Sequence, residues 1–182
     1  MKALVLAAGK GVRMKSDLPK VLHRVAGKPM VWHVVQRLLE LGVDDIYLIV
    51  GHRKELVEQE MYRDPVHFVT QEKQLGTADA VRAGGNALGE HEGDVLVLSG
   101  DVPLIRLETL KSLVKRHYTE KADATLLITS VKNPAGYGRI IREEKGRVLA
   151  IVEDKDATDE HRKIAEINAG VYCFRWESLK KI

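Results

Sequence analysis

The sequence predicts an α/β fold: a mostly parallel mixed sheet carrying a small antiparallel β extension. Three observations predict it. Short β-branched runs alternate with stretches of helical period through the first two thirds of the chain, the first run opens into a glycine-rich loop, and past Ser130 the pattern changes to strands without intervening helices.

The first strand is the apolar run around Leu4–Leu6, which Gly9 ends. Met30, Val31, Val34, Val35, Leu38 and Leu39 then recur at helical spacing, with Gly42 placed to stop that helix. Strands follow over Ile46–Val50, Val66–Val69, Val95–Leu98 and Thr125–Ile128, and helices over Ala78–Leu88 and Leu107–His117. Strand, helix and strand in succession favour a parallel sheet with helices on both faces. Beyond Ser130, Ile140–Arg142 and Arg147–Val152 flank a charged turn and read as an antiparallel hairpin. Ala169–Phe174 reads as one more strand, and a new helix begins at Trp176. With the sequence stopping inside that element, residues 1–182 are expected to be one domain truncated at its C-terminal end.

Composition narrows the function classes. Hydrophobic content of 45% and charged content of 30% fit a globular domain rather than a disordered chain. The run before Gly9 is too short, and too closely followed by Lys10, Arg13 and Lys15, for a secretory signal or a membrane span. One cysteine, Cys173, offers neither an internal disulfide nor a metal spacing and suits a reducing cytoplasm. The net charge of +3 is concentrated between Lys10 and Lys28, where Asp17 is the sole acid among six basic residues. Nucleic-acid binders spread such charge along a face with interleaved aromatics, so a compact polyanion such as a triphosphate is the better match, with no role for nucleic acid or membrane.

The loop itself, Gly9-Lys10-Gly11-Val12-Arg13-Met14, is neither a dinucleotide fingerprint nor a Walker loop. Met14 stands where a dinucleotide site needs a small residue, Pro19 and Pro29 forbid an early helix, and the second strand ends in Val50-Gly51-His52 without a carboxylate. What remains is a strand-to-helix connection of about 20 residues, where such loops run about 2–6. Its glycines let backbone N–H groups approach phosphate oxygens, and Arg13 and Lys20 can add charge-assisted contacts.

From Leu6 to Lys28 the sequence resembles the signature of sugar nucleotidyltransferases. It is most similar to the uridyltransferase domain of the bacterial bifunctional N-acetylglucosamine-1-phosphate uridyltransferase/glucosamine-1-phosphate acetyltransferases. The likeness continues in order: Gln71 with Gln74-Leu75-Gly76-Thr77-Ala78, then Gly100-Asp101-Val102-Pro103-Leu104, then Gly136-Tyr137-Gly138-Arg139-Ile140. Ile151-Val152-Glu153, Lys155-Asp156-Ala157 and Glu166-Ile167-Asn168-Ala169-Gly170 complete it.

The resemblance implies a Rossmann-like nucleotidyltransferase core. It implies Mg²⁺-dependent transfer of uridylyl from UTP to N-acetylglucosamine-1-phosphate, yielding pyrophosphate and a cell-wall precursor. In that scheme Leu6, Ala8, Gly9, Gly11, Gln71, Gly76 and Thr77 hold the nucleotide, Arg13 and Lys20 are catalytic contacts to the phosphates, and Asp101 binds the metal. Gly138, Glu153 and Asn168 hold the sugar phosphate. The sequence departs from the pattern at Asp79, where histidine is usual, at Ser99 for tyrosine and at Ala169 for threonine. The family's second metal ligand, an asparagine, falls after Ile182, and the acetyltransferase β-helix is absent, so a homotrimer is implied only for a parent carrying that part.

The chemistry agrees with the residue inventory. A sugar phosphate is already ionised near neutral pH, so its attack on the α-phosphorus of a triphosphate needs no general base, and the sequence holds no triad order or nucleophile elbow. The demand is electrostatic, because two anions must meet while the leaving pyrophosphate gains charge. Taken singly, Asp101 reads as a turn residue, Lys20 as a solvated lysine, and Gly138, Glu153 and Asn168 as turn residues; the resemblance gives them function. Lys15, Arg24, Lys28 and the scattered histidines stay solvated or structural. The alternatives are a transferase for another nucleotide or sugar phosphate, and a nucleotide-binding fragment without turnover.

Overall fold

The computed structural model describes every residue except Lys10, Val12, Arg13, Gln74, Lys145 and Ile182. The chain divides into two units, Met1–Thr125 together with the residues from Tyr172 onward, and Leu126–Val171.

The first unit contains β1 (Lys2–Leu6), α1 (Met30–Leu41), β4 (Ile46–Val50), α2 (Lys54–Met61), β5 (His67–Thr70), α3 (Thr77–Leu88), β6 (Asp94–Ser99) and α4 (Leu107–Thr119). A short hairpin, β2 (Arg24–Val25) and β3 (Lys28–Pro29), lies inside the long loop before α1. The sheet runs β5-β4-β1-β6, and all three of these pairings are parallel. Ala3, Leu4 and Val5 are all fully buried. Because successive strand side chains point to opposite faces, β1 is covered on both sides, as the continuous apolar run predicts.

One face of the sheet packs Leu4, Ile49, Val95 and Val97 against Ala80 and Leu88 of α3 and against Trp176. Gly84 and Gly85 make that approach possible: a Cβ on Gly84 would stand 2.9 Å from side-chain atoms of Ile49 and Leu4, and one on Gly85 would stand 2.5 Å from the Trp176 ring. Trp176 begins α6 (Trp176–Leu179), and its N–H donates to the Gly93 carbonyl at 3.0 Å. α1 ends where expected, on Gly42 at φ 87°, whose N–H is bonded to the carbonyls of Leu38 and Leu39.

β7 (Ala124–Ser130) and β10 (Glu166–Arg175) each have residues in both units. The second unit holds β8 (Arg139–Arg142), β9 (Val148–Val152) and α5 (Asp159–Arg162). β8 and β9 pair antiparallel, with a register irregularity at Ile141/Arg142, and Ile167 of β10 pairs antiparallel with Arg139. The antiparallel extension is therefore present, and β10 starts three residues before its expected Ala169.

Candidate nucleotide-binding site

Strand order decides what meets at the ligand edge. Leu6 lies opposite both Ile49 and Ser99, and Val50 lies opposite Thr70. The chain leaving β1 therefore runs beside Gly100 and Asp101, which follow β6, while Gln71 follows β5 on the same carboxyl edge. The Gly100 N–H donates to the Leu6 carbonyl at 2.9 Å and the Gln71 N–H to the Val50 carbonyl at 2.7 Å, tying both connections to the sheet. Open parallel sheets bind ligands at this edge.

A cleft of about 650 Å³ opens there, lined by Leu6, Ala8, Gly9, Gly11, Lys20, Gln71, Gly76, Thr77 and Asp101, with Val21, Ala80 and Ser99. Among the described residues, every nucleotide and metal residue expected from the sequence in the first unit lines it. Arg13 and Gln74 lie outside the described residues. A larger cavity of about 1130 Å³ sits beside α3 between Val81, Val97, Tyr172, Phe174 and Trp176. Its walls are mainly apolar, with Arg82 and Lys180 among the charged residues that reach it, and include neither the glycine loop nor Lys20 nor Asp101.

Lys20 opens a three-residue 3₁₀ turn, Lys20–Leu22, behind Pro19. Buried Val21 and Leu22 pin that turn, so the lysine backbone is fixed while its side chain stays about one third exposed in the cleft. Gly11, at φ +61°, touches the same turn: a Cβ there would lie 2.6 Å from the Cβ of Lys20 and 3.3 Å from its Cα. Glycine is needed both for the backbone conformation and for this approach.

The Lys20 ammonium pairs with Oδ2 of Asp101. Ser99 donates its hydroxyl to the other carboxylate oxygen at 2.6 Å. Burial works to raise the Asp101 pKa, but the bonds from Lys20 and Ser99 outweigh it and hold the carboxyl below its ordinary value. The side chain is thus an ionised, oriented, hard oxygen donor. Among the described residues no group of three or more histidine, cysteine, aspartate or glutamate side chains forms a metal cage. A single carboxylate suits Mg²⁺, which draws most of its ligands from phosphates and water, and suits a dedicated protein cage site poorly. Ser99, read in the sequence only as a departure, orients Asp101; the two-residue spacing on one strand edge is the signal that could have found it.

On the opposite wall, α3 starts at Gly76, φ 118°, with no side-chain cap. Gln71, almost fully buried, donates from Nε2 to Oδ2 of Asp79 at 2.8 Å and to the Gly76 carbonyl at 3.3 Å. Arg82 pairs with the other Asp79 oxygen at 2.5 Å. The Gln71 and Arg82 bonds keep the Asp79 carboxyl below its usual range.

Within the second unit, Gly138, Glu153 and Asn168 come together. The Asn168 N–H donates to the Gly138 carbonyl at 2.9 Å, and a Cβ on Gly138 would lie 2.9 Å from Ile151 and 3.3 Å from Oε1 of Glu153. Buried Arg139 anchors this group, bonding the Tyr137 carbonyl and Asp154, the latter at 2.9 Å. The Gly136 N–H and the Arg139 guanidinium hold the Asp154 carboxyl below the usual carboxylate range. Among the sequence-based expectations Arg139 has no such part; an arginine beside Ile140 and Ile141 in a strand is the signal that could have found it.

An α/β domain whose sheet edge gathers a glycine loop, a lysine and a carboxylate is built to hold the phosphates of a nucleotide. The chain belongs to the family of the MobA-like NTP transferase domain, whose model matches residues 3–164. It is 49% identical over 174 residues to the bifunctional protein GlmU of Syntrophomonas wolfei and 52% identical over 177 residues to that of Listeria monocytogenes, covering 96% and 97% of this chain. It spans 38% of the length of each of these curated relatives. Among solved structures, HddC from Yersinia pseudotuberculosis superposes with a TM-score of 0.77 at 23% identity, over 100% of this chain and 79% of its own. A putative glucose-1-phosphate thymidylyltransferase from Bacillus anthracis gives a TM-score of 0.75 at 22% identity, over 99% and 73%. These two likenesses establish the fold. No helix among the described residues is long and apolar enough to cross a membrane.

Proposed function

We propose that the chain transfers uridylyl from UTP to N-acetylglucosamine-1-phosphate in the cytoplasm, supplying a cell-wall precursor and releasing pyrophosphate. The observation that carries this reading is the convergence of the glycine loop, Lys20, Gln71 and Asp101 on one cleft. The high identity to proteins named GlmU supports the choice of substrates within the family.

Backbone N–H groups of the Gly9 loop and the Lys20 ammonium bind the phosphates. Gln71, Gly76 and Thr77 hold the base, and Asp101, kept ionised and oriented by Ser99, anchors a divalent cation, Mg²⁺. Nucleotidyltransferases generally work with a divalent metal; bound here, it would supply positive charge to the phosphates. Gly138, Glu153 and Asn168 hold the sugar phosphate, a carboxylate and an amide being suited to hydroxyls and to an N-acetyl group. The residues lower the barrier by charge neutralisation and positioning, with no side chain needed to activate the nucleophile.

Release of pyrophosphate, followed with a panel of triphosphates and sugar 1-phosphates, tests the proposal. The expected result is turnover dependent on Mg²⁺ and fastest with UTP and N-acetylglucosamine-1-phosphate. A preference for another pair would reassign the substrates, and nucleotide binding without pyrophosphate release would make the cleft a binding site only.

A further inference from the structure

The orientation of the Gln71 amide is dictated by what surrounds it. Its Nε2 faces two acceptors, the Gly76 carbonyl and the Asp79 carboxylate. Neither has a proton to give: the carbonyl has none, and the carboxylate sits in the first turn of α3, where the helix N-terminus favours the anion, with Arg82 on its second oxygen. Turning the amide over would lose both hydrogen bonds and bring Oε1 against two acceptors. Among the described residues nothing donates to Oε1, and it is not among the buried unpaired atoms. That oxygen is therefore presented as an acceptor to the cleft that Gln71 lines.

We propose that Asp79 is a positioning residue that sets base specificity: by locking the Gln71 amide it makes the pocket require a base edge offering a ring N–H. Uracil offers such an N–H at N3. Cytosine has an acceptor at that position and would meet Oε1 lone pair to lone pair. This rests on the reading that the cleft holds the base of a nucleoside triphosphate. Histidine, usual here in the resembling family, can donate or accept according to tautomer, whereas an ionised aspartate can only accept. The aspartate thus fixes by charge what a histidine leaves to its protonation state.

The test compares UTP with CTP, by calorimetric binding and by kcat/KM, in the wild-type chain and in Asp79→Asn, Asp79→Ala and Asp79→Glu. The asparagine amide can meet Gln71 with either an oxygen or an NH₂ group, and alanine leaves the Gly76 carbonyl as the sole constraint. Both variants are expected to lose about tenfold or more of the UTP preference, the scale of one mispaired polar contact. Glutamate, still acceptor-only, is expected to keep the preference. The two disruptive variants give independent readings of the ratio should one of them fold poorly. An unchanged ratio in whichever disruptive variants fold, with UTP still bound and turned over, overturns the role of Asp79 and leaves the cleft assignment standing. A wild-type chain that binds both nucleotides equally overturns it as well. Failure to bind either nucleotide would overturn the cleft assignment and this proposal together.

Discussion

Lys20 reaches the cleft from a turn pinned by Val21 and Leu22, so its side chain can be removed without disturbing the core. Lys20→Ala is expected to lower turnover by about 10²–10³, the scale of one lost transition-state charge contact, with a modest fall in melting temperature because Asp101 loses its ion-pair partner. Near-normal steady-state rates would remove the lysine from the chemistry. Gly11→Ala acts on the same group indirectly. It forces a side chain at φ +61° into the Cβ of Lys20, so kcat/KM for UTP should fall by about tenfold or more as the lysine is displaced. Cys173 is fully buried, and burial first, then the nearby Asp94 charge, push its thiol up to about 12. An ordinary thiol begins to ionise well below that, so at about pH 8.5 the folded chain should resist alkylation while the urea-unfolded chain reacts readily. Rapid modification of the folded chain would contradict this burial. At this scale an ordered set of motifs pointed to Lys20, Gln71 and Asp101, which the structure brings to one cleft. The sequence did not reveal what Ser99, Asp79 and Arg139 do, since each acts through a neighbour that only the folded turn brings within bonding distance.

α3 shows how packing overrides local preference. Alanine is a better helix former than glycine by about 1 kcal/mol, so propensity alone would make Gly85→Ala stabilising. The new methyl would lie 2.5 Å from the Trp176 ring, which is rigid and buried, and overpacking of that kind costs about 1–3 kcal/mol. A net loss of up to about 2 kcal/mol is expected in urea unfolding, and a gain would show that Trp176 yields. The same balance explains which elements could be read in advance. α1 was legible in full because Met30, Val31, Val34, Val35 and Leu38 are all buried at helical spacing. α2 was missed because only Val57 and Met61 are buried among charged neighbours, too faint a stripe to establish a period. The β2/β3 hairpin was likewise hidden, its four residues being set by the Ala26-Gly27 turn rather than by any apolar pattern; Ala26 and Gly27 both have positive φ. β5 begins one residue after its expected start, a displacement within the ordinary uncertainty of strand ends.

For the molecule as a whole, the parallel order β5-β4-β1-β6 does the positioning, because it brings the ends of β1, β5 and β6 to one edge. Alternating strand and helix patterns were enough to foresee that architecture and the antiparallel extension. The division into two units was not foreseen, since no linker or compositional break marks it, and its boundaries fall within β7 and β10. Charge likewise acts at this scale: among the described basic residues between Lys10 and Lys28, Lys20 lines the cleft beside Asp101 while Arg24 pairs with Glu60, so the account makes the cleft a place where Lys20 and a divalent cation meet a polyphosphate. A crystal structure with a non-hydrolysable UTP analogue and Mg²⁺ tests that most directly. The account predicts the base against Gln71, the phosphates along the Gly9 loop within hydrogen-bond reach of Lys20, and the ion on Asp101. A nucleotide lodged instead in the apolar cavity beside Trp176, or an ion bound away from Asp101, would contradict it.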